Sequence, residues 1–490
     1  MFHVEQAGGG LGKSAPSDSP LAPTFPGPTP AGMSSPALTI DPITRPGRTV
    51  VTPPGSKSIT NRALVFAALA EGPVTLTGAL FSRDTRIMCA ALKALGFEVA
   101  TDEKAKTIAL TGLGGRIPNA KATIHIGNAG TAARFLTAML ALHPEGEFTL
   151  DGDEAMRARP MGGLLEALVA QGGSFTDPAT GLPTDRFPFV FRTRGLRGGD
   201  IPVDASASSQ MLSALLIAAP YATSPATVKL IGHTVSEPFV DMTVRMCAQF
   251  GVLATSDGVG SHAFPAGRSY KNPAVYAVEP DATAASYFLA LPLAAPVDTT
   301  VGGLSENGLQ GDTAFAGVLK RMGLTLTETD RGWTVSVPTT TPSGRDEDFN
   351  AFSDTFLTLA ATATLLDGPT TIRGIAHTRK QETDRVLAMC TELERLGQQC
   401  SPNSAELRAD KSLSSLTVFP DKAALKRAAA NGPVPIHTYE DHRVAMSFGI
   451  LGTHDLFGDG RPWITIEDPA CCGKTFPDFF EVLARIRAGL

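Results

Sequence analysis

The chemistry in this sequence gathers where loops run into helices. "VTPPGSKSITNRALVFAALA" leads through Lys57 and Ser58 to Arg62 and an apolar helical run. Arg159 stands in "AMRARPMGG", Arg385 in "ETDRVLAMC", Arg443 in "EDHRVAM" and Lys474 in "GKTFPDFF". A helix N-terminus carries partial positive charge and unsatisfied N–H groups, so it attracts anions. Guanidinium groups grip phosphate and carboxylate bidentately. One such cation is ordinary surface charge; six at corresponding junctions point to substrates with several negative charges. Asp354 and Glu382 lie among them, each at the start of a predicted helix. A carboxylate surrounded by cations stays ionised and can serve as a general base; the competing reading is helix capping, which we assign to Asp84. Asn128 precedes Gly130 in "IGNAGTAARF", where backbone can approach a ligand closely. His442 is either a catalytic acid or a structural histidine.

The segment "GSKS" is not a nucleotide P-loop, because Ser56 stands where the glycine before the lysine belongs. Neither an H-E-x-x-H pair, an EF-hand nor a cysteine–histidine set occurs, so no catalytic metal or cofactor is expected.

These junctions are positioned by a repeat. A hydroxyl-rich opening leads into an Ala/Leu helix, a Gly/Pro turn, a β-branched strand and a second helix that ends at glycine. Gly96, Gly172, Gly251, Gly323 and Gly397 close the second helices at intervals of 76, 79, 72 and 74 residues, and a glycine there suits a left-handed cap. Six such units are too long for a linear solenoid. Two compact domains of three are more economical, with a boundary near residue 278. Equivalent helices would then aim their N-termini at one cleft. Facing cations alone would hold that cleft open until anions bridge it.

Composition sets outer limits. At 490 residues the chain exceeds a single core, and its 43% apolar content is ordinary for a globular protein. A net charge of −6 leaves no overall electrostatic footprint for nucleic acid. No apolar run approaches a membrane span. Six unpatterned cysteines read as reduced thiols in a cytoplasmic protein. Residues 1–32, rich in Pro, Gly, Ser and Ala, are expected to be a disordered tail.

In order along the chain, "PGSKSITNRAL", "GNAGTAARF", "RPMGGLLEAL", "ASSQMLSALL", "KQETDR", "YEDHRVAM" and "KTFPDFF" resemble the signatures of the 5-enolpyruvylshikimate-3-phosphate (EPSP) synthase family. The resemblance runs from about residue 38 to the C-terminus. It implies an α/β (α+β) fold: two domains of three βαβαββ-like units, an inside-out α/β barrel, with the active site in the cleft between them. The domains would be 56–277, and 33–55 with 278–490. It implies transfer of the enolpyruvyl group of phosphoenolpyruvate to the 5-hydroxyl of 3-phosphoshikimate by addition and elimination. By resemblance, Lys57, Ser58, Arg62, Ser208, Ser209, Gln210, Ser236, Asp354, His377 and Gln381 contact 3-phosphoshikimate. Lys57, Asn128, Gly130, Arg159, Gln210, Arg385, Arg443 and Lys474 contact phosphoenolpyruvate. Lys57, Asp354 and Glu382 carry proton transfer, and the phosphonate glyphosate inhibits. A monomer is expected.

Three positions depart from the family pattern: Gln381 where lysine is common, Phe239 where tyrosine is, and His377 where asparagine is. The segment from Ser401 to Pro435 reads as an insertion in the sixth unit. A related enolpyruvyl transferase acting on UDP-N-acetylglucosamine is one alternative, although Ser58 follows Lys57 where that family has asparagine and residues 111–126 hold no cysteine. A non-catalytic anion-binding homologue is another.

Overall fold

The computed structural model describes residues 36–232, 237–329 and 331–489. The tail read at 1–32, and Ser236, lie outside the described residues. Two hydrophobic cores form. One gathers residues between Ile59 and Val278, with Leu309. The other gathers Ile40, Ile43 and Val51 with residues between Ala282 and Ile486.

Among the described residues six sheets surround these cores, five of four strands and one of three. The second unit shows the plan. Lys121–His125 lies parallel to Gly146–Asp151, which pairs antiparallel with Phe189–Thr193, which pairs with Ser174–Thr176. Strand alternation gives each sheet a buried face: in Thr107–Leu113, Ile108 and Leu110 point inward while Ala109 is exposed. The leading helices are different. Lys57–Leu69 and Gly130–Leu140 are buried nearly all round, so they sit inside the fold and the sheets outside. The sheets stay separate, and no barrel closed by hydrogen bonds forms among the described residues. The fold is thus a two-domain α/β one, in which "inside-out" describes only the placement of helices within sheets.

Units one and four exchange their leading strands. Val275–Ala277 lies parallel on Glu71–Thr77 in one core, and Gly47–Val51 parallel on Val297–Gly302 in the other. The chain therefore passes between the cores twice, and the two passages are hydrogen-bonded to each other: Ser56 N–H to Glu279 C=O, and Asp281 N–H to Pro54 C=O, both 2.8 Å. Gly55 is needed there, since a Cβ would come within 1.9 Å of the Gly78 carbonyl oxygen.

The five repeat glycines all adopt positive φ, between 79° and 100°, directly after the helices they close. Ser56 caps Lys57–Leu69, accepting from Ile59 N–H. One local expectation changes. The apparent insertion belongs to unit five: Gln399–Ser401 and Leu416–Phe419 complete its sheet, with the helix Ser404–Ala409 between them. Arg379 anchors that helix by donating to Leu407, Asp410 and Leu413 carbonyls. No helix among the described residues is long and apolar enough to cross a membrane.

Candidate active site

Lys57 opens the first leading helix, and its Nζ lies 3.6 Å from Asp84 Oδ2. Asp84 is therefore not a cap. Ser82 caps its helix through a capping box with Thr85, leaving Asp84 in the first turn as counter-ion to Lys57. Burial lowers the Lys57 pKa, and Asp84 offsets this only in part. Lys474, Glu382 and Arg443, from the second core, lie within electrostatic reach of the same ammonium.

Arg62 points inward, 1% exposed. Nε donates to Thr243 Oγ1 at 2.8 Å, Nη2 to the Phe239 carbonyl at 3.1 Å and Ser213 Oγ at 3.4 Å, and Nη1 to the Ser58 carbonyl at 3.1 Å. Four of its five N–H groups are thus taken by protein, and one on Nη1 remains. Burial pulls it down to about 9. The Phe239 ring lies 5.9 Å from this guanidinium. Ser208 caps the helix Ser209–Ala218, accepting from Gln210 N–H. Ser209 is buried, and Gln210 Oε1 is buried with no hydrogen-bond partner. A buried acceptor left open is costly unless a ligand fills it.

Arg159 lies against the turn before Gly130–Leu140. Its Nη1 faces the Asn128 carbonyl at 3.5 Å and Asn128 Oδ1 at 3.4 Å. A methyl on Gly130 would come within 2.7 Å of Arg159 Nη2.

The remaining residues form one ionic network. Asp354 Oδ1 pairs with Arg385 Nη1 at 2.9 Å and Oδ2 with Arg443 Nη2 at 2.7 Å. Glu382 Oε2 pairs with Arg385 Nη2 at 2.9 Å and Oε1 with Lys474 Nζ at 2.7 Å. Arg385 Nε reaches Asp441 Oδ2 at 2.7 Å. Gln381 accepts from Arg385 Nη1 and donates to Asp354 Oδ1 at 3.4 Å. With Nη2 also reaching Asp441 Oδ1 at 3.4 Å, every N–H of Arg385 is engaged. Neither Asp354 nor Glu382 is a cap: Asp354 sits in a short 3₁₀ segment, and Asp384 caps the helix after Glu382. Burial pushes both carboxyls up, but Arg443 and Arg385 outweigh it at Asp354, and Arg385 and Lys474 outweigh it at Glu382. Both are held below the usual carboxylate range and stay ionised. These carboxylates offset the charges of Arg385, Arg443 and Lys474, so this part of the site is not made of cations alone.

His377 Nε2 hydrogen-bonds to Ser353 Oγ at 2.7 Å, and burial lowers its pKa. His442 is 1% exposed, with neither ring nitrogen bonded. Burial, reinforced by Arg443, holds it well below its ordinary value, so it is neutral and no imidazolium acid in this state.

Two buried charged residues near the site carry little sign in the sequence. Arg134, in "GTAARF", is a charge inside an apolar helix, which was its only signal. Asp312, in "GDTAF", occupies the place in unit four that Asp84 occupies in unit one. It is buried, accepts from Thr283 Oγ1 at 3.0 Å, and is raised to about 7 by burial and by Asp354.

The family model of EPSP synthase (3-phosphoshikimate 1-carboxyvinyltransferase) matches residues 43–483. A protein of Opitutus terrae named 3-phosphoshikimate 1-carboxyvinyltransferase is 47% identical over 92% of this chain and 97% of its own. One of Idiomarina loihiensis with the same name is 38% identical over 90% and 96%. The solved EPSP synthase of Acinetobacter baumannii superposes with a TM-score of 0.74 at 23% identity, over 92% of this chain and 98% of its own. The enolpyruvyl transferase NikO of Streptomyces tendae gives 0.68 at 17%, over the same shares. With its repeat fold, its cleft network and this coverage by relatives, the chain belongs to the EPSP synthase family.

Proposed function

We propose that this protein transfers the enolpyruvyl group of phosphoenolpyruvate to the 5-hydroxyl of 3-phosphoshikimate and releases inorganic phosphate. The observation that carries the reading is the network in which Lys57, Asp354, Glu382, Arg385, Arg443 and Lys474 meet. Two anionic substrates arriving there compete with Asp354 and Glu382 for the guanidinium groups. Once Arg385 and Arg443 turn to the phosphoenolpyruvate, Asp354 is left ionised beside the acceptor. It removes the proton of the 5-hydroxyl, whose oxygen attacks C2 of phosphoenolpyruvate while C3 gains a proton.

Lys57 suits that delivery. Burial makes its ammonium more acidic than usual, whereas Glu382, held ionised, has no proton to give. The product is a tetrahedral ketal phosphate. In the second step Glu382 takes a proton from the new methyl group, the double bond re-forms, and the C–O bond to phosphate breaks. The surrounding cations stabilise the negative charge throughout, and that term is usually the largest in such sites. Ser58, Arg62, Ser208, Ser209, Gln210, Ser236, His377 and Gln381 hold 3-phosphoshikimate on this reading. Asn128, Gly130, Arg159 and Lys474 hold phosphoenolpyruvate with the two arginines. The domains are 56–277, and 33–55 with 278–490, closing about the paired passages near Gly55 and residue 278. The protein acts as a cytoplasmic monomer.

A phosphate-release assay with phosphoenolpyruvate and each acceptor tests the reading. Release with 3-phosphoshikimate and none with UDP-N-acetylglucosamine is expected. No release with either acceptor would make this an anion-binding homologue.

A further inference from the structure

Arg134 is a buried guanidinium that the mechanism above leaves unused. It is 1% exposed on the helix Gly130–Leu140, and no carboxylate pairs with it among the described residues. Burial, with the neighbouring Arg159 charge, draws it down to about 9, so it remains a cation at neutral pH. An unpaired buried cation is expensive to keep, and an aliphatic side chain of similar volume would fill the space at less cost. Core packing therefore does not account for it.

Its hydrogen bonds do. Nη1 donates to the Gly130 carbonyl at 3.3 Å and Nη2 to the Pro160 carbonyl at 2.5 Å. The first carbonyl belongs to the opening residue of Arg134's own helix, where the "GNAG" turn ends, and the second to the loop that carries Arg159, so the Nη2 bond is the one that joins separate segments. Between the same two segments lies the Arg159 guanidinium, against Asn128 on one side and so close to Gly130 that an added Cβ would displace it. We infer that Arg134 is a positioning residue: from the start of its own helix it holds the Pro160 carbonyl, which clamps the loop carrying Arg159 onto the "GNAG" turn and so aims Arg159 into the cleft. The inference rests on the reading of Arg159 as a phosphoenolpyruvate contact.

The test compares Arg134→Met, Arg134→Lys and Arg159→Gln in the full-length enzyme. Methionine keeps most of the volume and removes both the charge and the clamp. It should leave the unfolding midpoint unchanged or higher. The KM for phosphoenolpyruvate should rise about 10- to 100-fold, as for a misplaced binding group, while the KM for 3-phosphoshikimate stays within about twofold. Lysine keeps the charge but cannot span both carbonyls, so it should recover only part of the loss; full recovery would overturn the clamp. If Arg134→Met fails to fold, or lowers the midpoint with both KM values worsening together, the residue is structural and the inference fails. Arg159→Gln separates the layers. A raised phosphoenolpyruvate KM in Arg159→Gln with none in Arg134→Met overturns the clamp alone. No effect in either variant removes the reading beneath it as well.

Discussion

The guanidinium of Arg385 lies on the carboxylate of Asp441, Nε to Oδ2 at 2.7 Å and Nη2 to Oδ1 at 3.4 Å, and neither side chain is more than 2% exposed. Asp441 also caps the helix His442–Gly452, accepting from Arg443 N–H at 2.9 Å. One carboxylate thus fixes the side chain of one candidate substrate arginine and the backbone of the other. Asp441→Asn removes its charge. Breaking a buried ion pair commonly costs about 3–5 kcal/mol, and the loss here should fall at the low end because Arg385 keeps Asp354 and Glu382. Denaturant unfolding without ligand measures this, and the KM for phosphoenolpyruvate should rise with it. An unchanged midpoint and KM would mean that the other two carboxylates hold Arg385 alone.

Asp354→Asn should abolish turnover while 3-phosphoshikimate still binds. The change preserves shape and removes the base, a contribution of about 10²–10⁴-fold. Single-turnover kinetics and equilibrium titration separate the two effects. Wild-type turnover would reduce Asp354 to a counter-ion of Arg443 and Arg385.

How far the sequence reveals this site depends on the distance over which each feature is decided. The left-handed caps at Gly96 and Gly251 are properties of one residue and its helix, so spacing alone exposes them. The Ser208 cap reaches two residues. The Arg385–Asp441 pair joins residues 56 apart, and the Lys57–Asp84 pair needs two helices to converge. Polar type alone made Asp84 look like a cap, and only the neighbouring helix shows it as a counter-ion. Arg134 is not legible in the sequence, because one cation in an apolar helix carries no sign of which carbonyls it meets. The resemblance supplies the list of site residues, Asp354 and Glu382 among them, but not Asp84 and Asp441 as the counter-ions of Lys57 and Arg385.

Asp312 should give the empty enzyme a stability that declines from acid toward neutral pH. Its native carboxyl keeps a proton up to about 7, whereas an unfolded aspartate releases it near pH 4. Between those values the native state binds more protons, so stability falls as pH rises. The full cost reaches roughly 4 kcal/mol above pH 7. Below about pH 4 the sign reverses, because Asp354 and Glu382, held down by their arginines, lose their contribution as they protonate. Asp312→Asn keeps the Thr283 hydrogen bond and carries no charge. Urea midpoints at about pH 5 and about pH 8 should differ in the wild type and converge in the variant. Equal slopes in both would place the titration elsewhere.

Gly130→Ala should weaken glyphosate more than phosphoenolpyruvate, through Arg159. The added methyl would lie 2.7 Å from Arg159 Nη2 and 2.9 Å from Nη1, so the guanidinium must move. It can, because its hydrogen bonds to Asn128 are long, at 3.4 and 3.5 Å, and it forms the end of a flexible side chain. A displaced guanidinium still meets a compact anion but crowds a longer one, and glyphosate is longer than phosphoenolpyruvate. Overpacking by one methyl costs about 1–3 kcal/mol, which raises the inhibition constant by roughly tenfold or more. The KM for phosphoenolpyruvate should rise by a smaller factor, since the same arginine serves both ligands. Measuring the two constants in one preparation decides the matter. Equal losses would mean that the moved Arg159 is simply lost to every ligand, and a gain in neither constant would mean that the guanidinium swings clear and the turn at Gly130 has room to spare.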